Sequence, residues 1–212
     1  SELAVPQNTL GAELRQLENK QWEQITLPHT PFVEPLTVLH QWQGICYYKK
    51  KITITPEEEK KHIWIEFEGA MHLADVWING KHVMQHAGGY TPFVVDATGL
   101  LKTDKENELL VRLDNRNNSL IPPGKPLETL DFCYYGGIYR NVHLIAKADV
   151  HITHPILDGH PAGAGIFITY PKVSQELSVV DAKTEIKNTS DKEKVVELRH
   201  TLYTWKKQKG KD

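Results

Sequence analysis

Asp131, Phe132, Cys133, Tyr134, Tyr135, Gly136, Gly137, Ile138, Tyr139 and Arg140 set one carboxylate beside three tyrosines and a pair of glycines. A carboxylate accepts hydrogen bonds from vicinal hydroxyls, and a tyrosine ring covers the apolar C–H face of a pyranose. The glycine pair lets the chain fold back tightly enough to aim both at one point. Such a stretch can recognise a sugar. The same residue types also suit a plain turn between two strands of an aromatic-rich sandwich, with Asp131 accepting from nearby backbone amides. Residue types alone leave both readings open.

Other chemistries lack their residues. Cys46 and Cys133 are too few for a disulfide framework and stand in no Cys-x-x-Cys or Cys/His zinc pattern, so both are expected to be buried thiols. His151 and His154 lie three apart, but Asp149 to Thr153 alternates as a strand, which puts the two rings on opposite faces and argues against a metal. No Gly-x-Ser-x-Gly elbow and no Gly-x-Gly-x-x-Gly loop occurs, which leaves serine-hydrolase and dinucleotide readings unsupported. A net charge of −2 with scattered lysines offers no basic face for nucleic acid. No apolar run approaches the roughly 20 residues that span a bilayer, so no membrane partner is expected. The opening Ser-Glu-Leu-Ala-Val-Pro lacks the regions of a signal peptide. A periplasmic or secreted form with its leader removed and a cytoplasmic form both fit that start.

The elements that must position the 131–140 stretch are strands. Ile63, Ile65 and Phe67 alternate with Trp64, Glu66 and Glu68, and Leu109, Val111 and Leu113 with Leu110, Arg112 and Asp114, as strands with one face in a core do. Asn79-Gly80 between two such runs predicts a hairpin with a type I′ turn. Helix formers concentrate only in residues 12–19, with one further turn expected over 98–101. Residues 1–150 therefore read as a two-sheet antiparallel β-sandwich. Pro155, Gly159, Pro161, Gly163 and Gly165 then mark a connection, after which 166–170, 182–187 and 195–205 read as further strands. An immunoglobulin-like sandwich needs about 100 residues, so 151–212 supply only part of one, and strand 195–205 is expected to leave an open edge that invites self-association.

Taken in order, Leu27-Pro28-His29, residues 44–49, Phe67-Glu68-Gly69-Ala70, Val76-Trp77-Ile78-Asn79-Gly80, Gly88-Gly89-Tyr90-Thr91-Pro92-Phe93, residues 107–115 and Gly136-Gly137-Ile138-Tyr139-Arg140 resemble the sugar-binding domain of family 2 glycoside hydrolases. The resemblance covers residues 22–150 and is closest to the bacterial β-galactosidase branch. It implies an all-β fold: a jelly roll over 1–150, followed by a partial immunoglobulin-like β-sandwich over 151–212. In the resembled enzymes a jelly-roll loop reaches the mouth of a catalytic TIM barrel, and an aspartate at the place of Asp131 contacts hydroxyls of the non-reducing sugar. An asparagine three residues before the glycine matching Gly44 assists in some members. Gln41 holds that place here, keeping the amide and lengthening the reach. Trp42 stacks on a sugar face or plugs the sandwich end, and both readings stay open. Asn115 and Arg116 are read as bracing the loop that holds Asp131, with Tyr134 supporting it, and Arg140 as pairing internally through its five donors.

A retaining glycosidase sets two carboxyl groups about 5 Å apart, and no such pair is evident in the sequence. Asn107-Glu108 opens a strand and Glu57-Glu58-Glu59 follows Pro56 in a turn, so both read as structural. The family's barrel, with both glutamates, is expected to lie outside this chain. No catalytic residue, metal ligand or cofactor is assigned within it. The partners implied are a β-galactoside-type glycan, the protein's own barrel and a second copy of the chain. β-Galactosidase is the activity implied, with β-glucuronidase and β-mannosidase next. A free-standing carbohydrate-binding module or lectin is the rival class.

Overall fold

The computed structural model describes residues 16–17, 20–33, 41–133, 135–159 and 164–203. The chain divides into two compact units after Ala146. Most of the helix expected over 12–19 lies outside the described residues; Gln16 and Leu17, within them, are helical.

The first unit holds strands β1 (Ile45–Ile52), β2 (His62–Phe67), β3 (Leu73–Ile78), β4 (Lys81–Ala87), β5 (Phe93–Asp96) and β6 (Asn107–Asp114), with β7 (Val142–Lys147) running to its boundary. β1-β6-β3-β4 form one antiparallel sheet and β5-β2-β7 the other. Their inward side chains make a single core: Ile63, Ile65 and Phe67 of β2 and Val95 of β5 meet Val76 and Ile78 of β3 and Val111 and Leu113 of β6. This is the expected all-β sandwich. Burying each such side chain is worth about 1.5–3 kcal/mol, the main term holding the sheets together. Phe67 stacks on its cross-strand partner Phe93 with ring centroids 4.5 Å apart, and truncating Phe67 to alanine would cost about 3–5 kcal/mol.

Turn chemistry acts locally as the sequence implies. Asn79 (φ 52°) and Gly80 (φ 78°) form the two-residue connection between β3 and β4, both in the positive-φ region that a type I′ turn requires. Asn79 also joins distant segments: its amide donates to the Leu100 carbonyl at 2.9 Å, and its Oδ1 accepts from the Glu108 amide at 2.9 Å. Asn107, fully buried, likewise joins distant segments, donating to the Ile52 and Lys102 carbonyls. Asn107-Glu108 is thus a strand-opening pair, with Glu108 bridged to Lys49 at 2.6 Å. Glu57-Glu58-Glu59 forms more than a turn. Residues Pro56–Glu59 make one helical turn, α1, closed by a capping box between Thr55 and Glu58, with Pro56 at its first position.

The second unit differs from the expected strand pattern at three places. The 166–170 strand extends to Val173 as β9 (Ile166–Val173), paired with β10 (Ser178–Thr184). Pro171, which has no N–H to give, sits where the register slips between Val179 and Asp181. The single strand expected over 182–187 breaks at Glu185 into β10 and β11 (Ile186–Asn188), and β11 pairs with β8 (Val150–Ile152). Glu185 donates its N–H to Gly165 and accepts from the Thr153 amide, which hands the strand from one partner to the other. Residues 195–203, the described part of the expected 195–205 strand, form none, and Val195 is 99 % exposed. A strand needs a ladder partner, and alternation alone does not supply one.

Candidate sugar-contact loop

At the end of β6 the chain leaves the four-stranded sheet at Asn115, a buried side chain that reaches across to the start of β1. Asn115 Oδ1 accepts from the Gly44 amide at 2.8 Å, and its Nδ2 donates to the Trp42 carbonyl at 3.0 Å. Two residues on, Asn117 Oδ1 accepts from Gln43 Nε2 at 2.8 Å and from the Leu127 amide at 3.0 Å. Two side-chain amides therefore clamp residues 115–117 to 42–44, and the second passes the clamp on to the next loop.

That loop begins with a 3-10 turn over Leu127–Thr129, runs through Asp131, and returns along Gly136 and Gly137. Leu127 is buried against Met71, with Leu130 and Tyr139 packed on the pair, so both ends of the loop share one apolar anchor. The Tyr139 hydroxyl donates to the Gly89 carbonyl, and the Met71 amide donates to the Gly137 carbonyl at 3.0 Å. Gly137 has φ 106°, and a β-carbon there would meet the His29 carbonyl and the Tyr48 hydroxyl, each at 2.6 Å. Only glycine fits without strain. His29 in turn donates its backbone N–H to Ile138 at 2.8 Å and pairs its Nδ1 with the Tyr48 hydroxyl at 2.9 Å.

Charges gather on the outward face of the same sheet. Asp75 and Arg112 face each other in register on β3 and β6, each 1 % exposed, with Nη1 3.6 Å from Oδ2. His82 and Gln85 meet Asp75 Oδ1 at 3.0 and 2.9 Å. Arg112 also reaches Asp114 at 3.4 Å, and Arg116 grips Asp114 with Nε at 2.9 Å and Nη2 at 2.6 Å. Burial disfavours the charged form of Asp114, but the hydrogen bonds from Arg116, with Arg112 nearby, outweigh it and hold the carboxyl below the usual carboxylate range. His72 is held below the ordinary imidazole value by burial, against the opposing pull of Asp114. A cavity of about 280 Å³ lies here, lined by His72, Leu73, Asp114, Arg116, Asn117 and Asn118. Neither cysteine is fully buried as expected: Cys46 and Cys133 are both half-buried, and at Cys46, packed on the rim of the core, burial still pushes the thiol up to about 12.

The residues singled out from sequence are placed as follows. Asp131 is exposed at the turn of the loop. Gln41 is buried at 7 % exposure, so only a ligand entering a covered site reaches it. The half-buried ring of Trp42 lies over Gly44 and against Gly136, which brings Trp42, Gly44, Asn115 and Gly136 together. Arg116 pairs with Asp114, and exposed Arg140 lies with its guanidinium carbon 5.9 Å from the Tyr139 ring centroid. Tyr134 lies outside the described residues. His151 bonds the Ala148 carbonyl at 2.7 Å, while His154 Nδ1 accepts from the Ile156 amide at 3.1 Å. Sequence reasoning missed Gln43, Asn117, Met71 and Leu127, which fix the loop. Only the Asn-Arg-Asn-Asn run at 115–118 hinted at an amide-rich hinge.

Residues 12–148 match the family described as glycosyl hydrolases family 2, sugar binding domain. The chain is 32 % identical over 190 residues to a β-glucuronidase of Formosa agariphila, covering 84 % of this chain and 19 % of that protein. It is also 32 % identical over 192 residues to a β-galactosidase of Thermoanaerobacter pseudethanolicus, covering 88 % and 26 %. Among solved structures, a β-glucuronidase of Bacteroides uniformis is similar with a TM-score of 0.66 and 32 % identity, over 80 % of this chain and 19 % of that one. The chain spans about a fifth to a quarter of the length of these relatives. The motifs, the two-sheet sandwich and the matched span agree, and the chain belongs to glycosyl hydrolase family 2, carrying its sugar-binding domain.

Proposed function

We propose that this chain positions a terminal β-linked sugar for a retaining glycosidase, with Asp131 as its sugar-contacting carboxylate. The observation that carries the reading is the 127–140 loop, anchored at both ends on Met71 and pressed at Gly136 onto Asn115 and Trp42, with Asp131 exposed between. A carboxylate on a pre-set loop loses little freedom on binding, and its hydrogen bonds to hydroxyls are charge-assisted. Trp42 and Asn115 support the loop from beneath in this reading, and Arg116 serves to hold Asp114. The two carboxyl groups that break the bond, about 5 Å apart in a retaining enzyme, belong to the remaining length of the protein. Residues 1–150 are assigned as the jelly roll and 151–212 as part of an immunoglobulin-like sandwich.

The motif set around Gly136 to Arg140 favours a β-galactoside as substrate. A β-glucuronide is the second reading, supported by the names of the Formosa agariphila and Bacteroides uniformis relatives. Turnover of nitrophenyl β-galactoside, β-glucuronide and β-mannoside by the full-length protein tests both. Hydrolysis of one of the first two with retained anomeric configuration is expected, and sugar binding without turnover of any of them would replace the enzyme reading with a lectin.

A further inference from the structure

We infer that Asn117 is a positioning residue for Asp131, an inference that rests on the reading of Asp131 as the sugar contact. Asn117 Oδ1 is the acceptor shared by Gln43 Nε2 at 2.8 Å and the Leu127 amide at 3.0 Å. Leu127 opens the 3-10 turn, whose further bonds are internal: the Thr129 amide to Pro126 and the Leu130 amide to Leu127, each at 3.0 Å. The Thr129 hydroxyl also returns to the Pro126 carbonyl at 2.7 Å. These bonds hold residues 126–130 together as one piece, which ends one residue before Asp131. Van der Waals packing of Leu127 on Met71 sets how deep this piece sits, but an apolar contact does not set its rotation. The directional bond from Asn117 does.

The rest of the clamp ties that orientation to the sheet. Asn117 lies two residues past Asn115, whose amide holds Trp42 and Gly44, and Gln43 lies between those two. One three-residue segment, 42–44, thus holds both Asn115 and Asn117. The aim of Asp131 is referred through Leu127 and Asn117 to the start of β1. A carboxylate misplaced by about 1 Å loses its hydrogen bonds to the sugar, an error that can cost about 10²-fold in rate.

The test is a double-mutant cycle in the full-length protein, read as kcat/KM on whichever nitrophenyl glycoside it cleaves. Asn117→Ala should lower kcat/KM by about 10- to 100-fold, yet by less than about twofold when Asp131 is already alanine, because a residue acting through another has nothing left to act on. Asn117→Asp, which keeps an oxygen at the acceptor position, should restore most of the loss. Gln43→Ala should give a smaller loss that also disappears in the Asp131→Ala background, and it carries the test with Asn117→Asp if Asn117→Ala does not fold. Equal losses with and without Asp131 would overturn the inference, as would full activity in Asn117→Ala alongside a crippled Asp131→Ala. If Asp131→Ala by itself is as active as the parent, the sugar-contact reading fails and takes this inference with it.

Discussion

A β-carbon on Gly136 would lie 2.8 Å from Nδ2 of Asn115, closer than side-chain contacts allow, so the returning arm of the loop rests directly on the amide that joins β6 to the start of β1. The Trp42 ring also crowds that position, 3.2 Å from the same point. Asn115 cannot retreat without giving up its bonds to Gly44 and Trp42. Gly136→Ala should therefore destabilise the protein by about 1–3 kcal/mol through overpacking, seen as a lower urea midpoint, and should also reduce kcat/KM. An unchanged midpoint would mean that the loop yields freely and does not hold Asp131.

Asp131 itself is exposed, and its removal should leave the fold intact. On the proposed reading of Asp131 as a sugar contact, Asp131→Ala in the full-length protein should lower kcat/KM by about one to three orders of magnitude, as bonds to hydroxyls remote from the reacting carbon would add to transition-state binding. Steady-state kinetics paired with a melting curve decides. A large fall in melting temperature with normal kinetics in the folded fraction would assign the residue to structure.

Asp75 and Arg112 form a cross-strand ion pair out of contact with water. Asp75→Ala would leave a buried guanidinium, at a cost of about 3–5 kcal/mol. Replacing both residues by apolar ones of similar volume should recover most of that loss, as denaturant titrations of the single and double variants would report. A mild single variant would show that Asp114 alone suffices for Arg112.

Stability should fall with acid in two stages. Burial keeps His72 and His86 below the ordinary imidazole value. Their neutral forms are native, so this contribution is complete above about pH 6.5 and is lost as pH falls toward their folded values. Asp114 is held below the carboxylate range, so its contribution is complete above about pH 4 and disappears only below it. Thermal midpoints from pH 8 to 3 should show both declines. Replacing His72 and His86 by glutamine should flatten the first and spare the second; an equally steep first decline would place its origin elsewhere.

With its thiol pushed to about 12, Cys46 should be inert. In a Cys133→Ser background, Ellman's reagent at pH 8 should label nothing until the protein is unfolded. Rapid labelling of the native state would show that the half-buried thiol is reachable and reactive as it stands.

Much of the fold was legible because its causes are local. The alternation of Ile63, Ile65 and Phe67 needs only the two-residue period of a strand, and Asn79-Gly80 needs only its own preference for positive φ. The motif order that marks the family is likewise a property of the chain itself. The tertiary structure alone decided what depends on partners remote in sequence. The Asp75–Arg112 pair, the Asn115 and Asn117 clamps on residues 42–44 and the hold on Leu127 join segments that no spacing rule connects. The strand expected over 195–205 failed for the same reason, since the alternation is present in 195–203 and the ladder partner is absent among the described residues. Periodicity records which face a residue prefers, whereas position and pairing are set by the rest of the chain once it has closed into a sandwich.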